Sequence, residues 1–236
     1  MIRYLRFLSG RERTREANRH LGLTLAFVAG AVNAGGFLAI AQYTSHMTGV
    51  LSSVADNLAL GRGRPVLAGL CAFTSFVAGA CFSAILIQWA RRRKLHSEYA
   101  LALLVEAALL VVFGLLGRHS IRTSGEWIVL LLCFVMGLQN AIITKVSGAE
   151  IRTTHMTGNA TDLGIELGRL LFGSTSDREK LKLHASLIAL FTLGGVIGAL
   201  GFKGLGYGFA APLAALLLTI AVVPVWEDLA PSSQAL

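Results

Sequence analysis

Thr44-Ser45-His46-Met47-Thr48-Gly49 and Thr154-His155-Met156-Thr157-Gly158 share the core HMTG, written once in each half of a 236-residue chain. The agreement extends in both directions. Gly30-Ala31-Val32-Asn33-Ala34 precedes the first copy, and Gly137-Leu138-Gln139-Asn140-Ala141 precedes the second. Leu60-Gly61-Arg62 and Leu167-Gly168-Arg169 close them. Asn33 answers Asn140, His46 answers His155, and Thr48 answers Thr157. Three motifs matching in the same order mark an internal duplication. Two long apolar segments follow each copy.

The surroundings set the solvent. The chain is 54% hydrophobic and 14% charged, with a mean hydropathy of +0.65. Soluble domains are usually near ~25% charged. Tyr99 to Gly117 carries one charge, Glu106, and Tyr207 to Trp226 carries none. Such runs approach the ~20 apolar residues that a helix needs to cross a bilayer. Repeated along the chain, they leave too few polar residues for a water-facing surface. The expected class is therefore an all-α integral membrane protein. Spans are expected at 21–42, 66–90, 99–117, 127–146, 183–202 and 206–226, six in all. Two shorter segments, 47–60 and 156–172, begin at the HMTG copies and are expected as short or re-entrant helices.

Charge sets the sidedness. With the N-terminus inside and neither short segment crossing, sixteen of the 21 Lys and Arg residues fall on the cytoplasmic side. They include Arg91–Lys94 and the group from Lys145 to Lys182. Arg62, Arg64, Arg118, Arg122 and Lys203 fall outside. This agrees with the positive-inside rule. Both termini are then cytoplasmic in a bacterial inner membrane. Residues 1–20 form a basic flank rather than a secretory signal, and 227–236 form a short tail. Between them lies one transmembrane domain of two repeats, 21–117 and 127–226. Three spans per repeat turn the second upside down relative to the first, as in many secondary transporters.

Polar groups in hydrocarbon must be satisfied or functional. Thr44, Ser45 and Thr154 suit helix N-caps. His46 and His155 suit contact with a solute or carriage of a proton, or a bond to a nearby carbonyl. Gly49 and Gly158 clear space for a ligand or a second backbone. Asn33 and Asn140 suit ligand contact, interhelical bonding or bonding to the broken backbone beside HMTG; Gln42 and Gln139 are weaker cases. Asp56, Glu106 and Asp162 are acids in apolar stretches, with Glu106 suited to proton coupling. Asp162 and Glu166 share a helix face, which calls for a proton, a cation, or Lys145, Arg152 or Arg169. The candidate solute or coupling residues are thus Asn33, His46, Thr48, Asp56, Glu106, Asn140, His155, Thr157, Asp162 and Glu166.

No Walker loop, zinc-protease motif or cysteine–histidine metal cluster occurs, so no catalytic residues, cofactor or metal are assigned and no enzyme is expected. Cys71, Cys81 and Cys133 read as packing residues. The net charge of +8 suits anionic headgroups rather than nucleic acid.

GAVNAGGF…TSHMTG and GLQNA…RTTHMTGNATDLGIELGR resemble the YoaK-like bacterial membrane proteins, the domain of unknown function DUF1275, over about Leu21 to Trp226. The resemblance implies a small multi-pass inner-membrane protein with no settled substrate. Relatives carry an aspartate where this chain has Asn33, and HMTGN where the first copy here reads HMTGV. The resemblance therefore implies altered coupling and a first half that is the more specialised one. The reading favoured on these grounds is a secondary transporter of a small polar solute, with an anion as one candidate. A passive channel, a non-transport scaffold or partner-binding protein, and a membrane enzyme are the alternatives. The partners are the bilayer, an unknown solute and, as a further candidate, other copies of the chain.

Overall fold

A computed structural model describes residues 2–11, 13–40, 42–119 and 126–229. Its elements are α1 (Ile2–Ser9), α2 (Arg15–Ile40), α3 (Met47–Ala59), α4 (Gly63–Arg92), α5 (Ala100–His119), α6 (Glu126–Val146), α7 (Met156–Leu171), α8 (Arg178–Leu205), a 3-10 turn at Gly206–Phe209, and α9 (Ala210–Leu229). No strand occurs among the described residues. Five stretches are long and apolar enough to cross a membrane: Arg15–Leu38, Gly63–Arg92, Ala100–Gly117, Glu126–Val146 and Arg178–Leu229. The last runs through α8, the turn and α9.

The boundaries differ from the sequence expectations where capping intervenes. α2 starts at Arg15 rather than 21, because Thr14 Oγ1 accepts the Ala17 N–H at 3.1 Å. Helix propensity then carries through the basic flank. α8 starts at Arg178 rather than 183, because the Asp177 carboxylate accepts the N–H groups of Glu179 and Lys180 at 3.0 and 3.2 Å. The flank also holds α1, which the sequence reading left without structure. The Ser9 hydroxyl donates to the Ile220 carbonyl at 2.7 Å, and Arg6 pairs with Glu227 at 3.2 Å, so α1 rests on α9. Residues 227–229 finish α9 rather than opening a tail. The rest of that expected tail, and Arg122, lie outside the described residues.

Helix packing follows four Phe-x-x-Gly stretches: Phe27–Gly30 in α2, Phe76–Gly79 in α4, Phe134–Gly137 in α6 and Phe191–Gly194 in α8. They meet in two reciprocal pairs. A Cβ on Gly30 would overlap the Phe191 carbonyl, and one on Gly194 the Phe27 carbonyl. A Cβ on Gly137 would overlap the Phe76 carbonyl, and one on Gly79 the Phe134 carbonyl. Backbone therefore meets backbone at both crossings, the close approach that small residues permit between apolar helices. The first long helix of each half packs on the third helix of the other half: α2 on α8, and α6 on α4.

Contacts also fix direction. Arg19 pairs with Glu179, Phe27 meets Gly194, and Gly35 meets Phe202, so α2 and α8 run parallel. Asn18 bonds the Val146 carbonyl, Gln139 bonds the Leu25 carbonyl, and Gly36 faces Leu132, so α2 and α6 run antiparallel. Asp228 near the end of α9 accepts the N–H groups of His96 and Ser97 just ahead of α5, so α5 and α9 are antiparallel too. The ion pairs among the described residues all lie toward one end of the bundle, the end holding the starts of α2 and α8.

Candidate functional site

After α2 and after α6 the chain does the same thing. It turns back along the helix it has just left, then starts a short helix. After α2, Thr44 returns to within van der Waals distance of Gly36. The Asn33 side chain holds it: Nδ2 donates to Ser45 Oγ at 2.6 Å, and Oδ1 accepts from the Ser45 N–H at 3.2 Å and the Thr44 hydroxyl at 3.4 Å. After α6, Arg15 pairs with Glu150 at 2.7 Å, Ile151 packs onto Gly22, and the Thr154 hydroxyl donates to Asn140 Oδ1 at 2.9 Å. Of the roles open to Asn33 and Asn140, the one observed is bonding to the returning segment beside HMTG. Asn140 also donates to the Met136 carbonyl.

HMTG itself has a local explanation. His46 and His155 are the N-cap residues, with φ/ψ of −89/66° and −85/61°. Neither helix start has a side-chain cap. Thr44, Ser45 and Thr154, expected as caps, are instead engaged by the two asparagines. Each histidine ring folds over the first helical turn, onto the glycine three residues later. A Cβ on Gly49 would overlap the His46 ring, and one on Gly158 the His155 ring. The space at these glycines is therefore taken by the cap residue's own ring, not by a second backbone. Residue i+3 must lack a side chain for the ring to lie there.

The two helix starts lie on different parts of the bundle. α3 packs on α4, and α7 on α8. Gln139, beside Asn140, lies level with Leu25 of α2, so the Asn33 and Asn140 ties are about two turns apart along that helix, roughly 12 Å. The surroundings differ as well. α3 buries none of its residues, and Thr48 and Asp56 are exposed on it. α7 buries Asn159 and Glu166.

Around the second copy several of the candidate residues gather at a cleft. It has a volume of about 430 Å³, and its walls include Arg152, His155, Thr157, Asn159, Asp162 and His184. His184, from α8, is 8% exposed. Its Nδ1 lies 3.2 Å from Asn159 Oδ1, and its Nε2 lies 3.8 Å from Asp162 Oδ2. Asn159 Nδ2 donates to the Arg152 carbonyl at 3.2 Å. The sequence reading missed His184, because a lone histidine in an apolar span has no motif. The signal available was its distance from Asn159, which equals six turns and more of chain and becomes short only when α8 folds back on α7.

Glu166 sits apart from that cleft. Arg169 Nη1 lies 2.8 Å from its carboxylate, which also accepts the Asp177 N–H at 2.9 Å and the Ser176 hydroxyl at 3.2 Å. The Asp177 N–H foremost, with Arg169 and Ser176, holds this carboxyl below its ordinary range, although partial burial works the other way. Of the three cations offered for the Asp162/Glu166 face, Arg169 is the one engaged. Glu106 is fully buried on α5, and neither carboxylate oxygen has a hydrogen-bond partner among the described residues. It is remote from both HMTG copies in the contact pattern, since α5 packs chiefly on α9 and α6. The three cysteines are free thiols.

Comparison with known proteins places this architecture. The profile of a family described as "Protein of unknown function (DUF1275)" matches residues 21–223. The UPF0700 transmembrane protein YoaK of Bacillus subtilis (strain 168) is 28% identical over 182 residues, which is 75% of this chain and 80% of the relative. No solved structure matches the chain.

Proposed function

The chain belongs to the DUF1275 family, and we propose that within it this protein is a secondary transporter of a small polar solute across the bacterial inner membrane. In this reading α2, α4, α5, α6, α8 and α9 are six spans. α3 and α7 are re-entrant helices entering from opposite faces, and the two halves form an inverted repeat. The antiparallel course of α2 and α6, and of α5 and α9, supports the inversion. The reciprocal packing of α2 on α8 and of α6 on α4 gives two bodies that can rock against each other. The excess of basic residues at the end bearing the start of α2 supports cytoplasmic termini.

The observation that carries the reading is the pair of matching helix starts, of which one opens on a polar cleft and the other does not. A transporter needs its site reachable from one face at a time. The cleft at Arg152, His155 and His184 includes Glu150, which pairs with Arg15 at the basic end, and this placement fits an inward-facing arrangement. A concave cleft with convergent polar groups is also the kind of place where small ligands bind.

The test has two stages. The detergent-purified protein is screened by thermal shift against metabolites, anions and cations, with His155→Ala alongside. A ligand of the folded state raises apparent stability. Each hit is then offered to proteoliposomes. Uptake into loaded vesicles that His155→Ala abolishes supports transport. Stabilising ligands that never enter the vesicles turn the reading toward a receptor or scaffold.

A further inference from the structure

The two helix starts share their N-cap backbone conformation, and three differences between the halves fall at the cleft or its counterpart. With His46 and His155 aligned as N-caps, Val50 stands where Asn159 does, and Ser53 where Asp162 does. With Phe76-x-x-Gly79 and Phe191-x-x-Gly194 aligned, Gly69 stands where His184 does. In the first half the space is filled by packing: a Cβ built on Gly69 would lie 3.8 Å from Val50 Cγ1 and would overlap Val54. In the second half the same place is a cleft of about 430 Å³.

The hydrogen bonds fix what the cleft offers. Asn159 Nδ2 donates to the Arg152 carbonyl, so its Oδ1 is the atom facing His184 Nδ1. An oxygen there can only accept, so the proton of a neutral His184 sits on Nδ1. Nε2 then presents a lone pair, 3.8 Å from the Asp162 carboxylate. Nε2 has no hydrogen bond among the described residues, although the ring is 8% exposed. Two acceptors confront each other across a gap that a group with two or more donor protons, such as an ammonium, bridges. Along the same wall the opposite polarity is on offer. The N–H groups that begin α7 have no side-chain cap, and the Arg152 guanidinium pairs with no carboxylate among the described residues.

We propose that this cleft, and not its first-half counterpart, binds a small carboxylic acid bearing an amino group. The ammonium donates one proton to His184 Nε2 and another to Asp162, which a hydroxyl with its single proton cannot do, and the carboxylate takes the start of α7 and Arg152. The proposal rests on the cleft being the solute site of the transport reading, and it adds the solute class and the half that reads it.

The probes are glycine, glycolate, acetate and methylammonium, titrated calorimetrically into the intact protein in detergent. Glycine binds. Glycolate, whose single proton reaches one acceptor only, binds more weakly. Acetate and methylammonium, each lacking one end, bind at least about tenfold more weakly than glycine, as expected for loss of a hydrogen bond to a charged group. Asp162→Ser, which imports the first half's residue, brings glycine down toward the affinity of acetate, and the conservative Asp162→Asn does so only in part. Val50→Ala changes nothing. Acetate, methylammonium or glycolate binding as tightly as glycine overturns the proposal, as does failure of glycine to bind. Equal weakening by Val50→Ala and Asp162→Ser overturns the restriction to the second half. Binding without uptake into proteoliposomes removes transport and leaves the site. Uptake of a solute of another class, with none of the four probes bound, leaves transport and removes this assignment.

Discussion

Replacing Gly137 by alanine tests the helix crossing on which the fold depends. A Cβ there would sit well under 3.0 Å from the Phe76 carbonyl oxygen, a distance real Cβ atoms essentially never show, and 3.1 Å from Phe76 Cα. Both obstructing atoms are backbone, so no side chain can swing away and α4 and α6 must separate. Alanine gains about 0.5–1 kcal/mol over glycine inside a helix. Overpacking of a tight contact costs about 1–3 kcal/mol. The net expectation is a loss of about 1–2 kcal/mol, or roughly 2–8 °C in apparent Tm at ~2–4 °C per kcal/mol for a chain of this size. Gly79→Ala, the reciprocal partner, loses a similar amount. The double variant loses less than the sum, because helices already separated by one Cβ accommodate the second. Gly164→Ala is the control: it lies in α7 with nothing within 4 Å of its Cβ position, and it is expected to be neutral or stabilising. Thermal unfolding in detergent followed by tryptophan fluorescence reads all four. If Gly137→Ala unfolds with Gly164→Ala and wild type, the close crossing is refuted.

Two further outcomes follow from the site geometry. Asn33→Ala strands the Ser45 N–H and the Thr44 hydroxyl, which is 1% exposed, and is expected to cost about 1–3 kcal/mol; Asn140→Ala strands only the Thr154 hydroxyl and costs less, so the opposite order in the same thermal assay would refute the tether described for the first half. Glu166 has its carboxyl held below the ordinary range, so its pairing stabilises fully above the unfolded value of about 4.3 and is lost as pH falls through the lower folded value; Glu166→Gln should flatten the acid limb of the stability curve, and an unchanged limb would show that other carboxylates set it.

The helical, membrane-type class and the two short helices' shared motif were legible because both are one-dimensional signals. Length, apolar runs and the order GxxNA, HMTG, LGR require no knowledge of which helix meets which. The short helices at HMTG were legible for the same reason: some fourteen apolar residues cannot span a core of ~30 Å. Where side chains reach was harder to read. Thr44 and Ser45 have the composition of N-caps, yet tertiary bonding to Asn33 takes them first. Gly49 and Gly158 looked like room for a ligand, and the room is filled by the histidine three residues earlier. The four Phe-x-x-Gly stretches stood in plain view but carry no meaning until two helices cross at them. His184 became part of the cleft only through the return of α8 along α7. A single substitution in an apolar segment leaves no pattern to find.

The family resemblance drawn from the sequence implies HMTGN where the first copy reads HMTGV, and so a more specialised first half. The surroundings argue the reverse. Val50 and Val54 pack on Gly69, and α3 buries no residue; at these positions the first half is the plainer one. The second half keeps Asn159, adds His184 from α8, and places Asp162 opposite. In the transport reading, inverted halves with equal polar sites would bind from both faces with equal strength. Valine and glycine in the first half, with polar groups in the second, leave a single site in that reading. In both copies the histidine-on-glycine turn and its asparagine tether build the returning helix start, and on the proposal above the residues after it decide whether that start reads a solute.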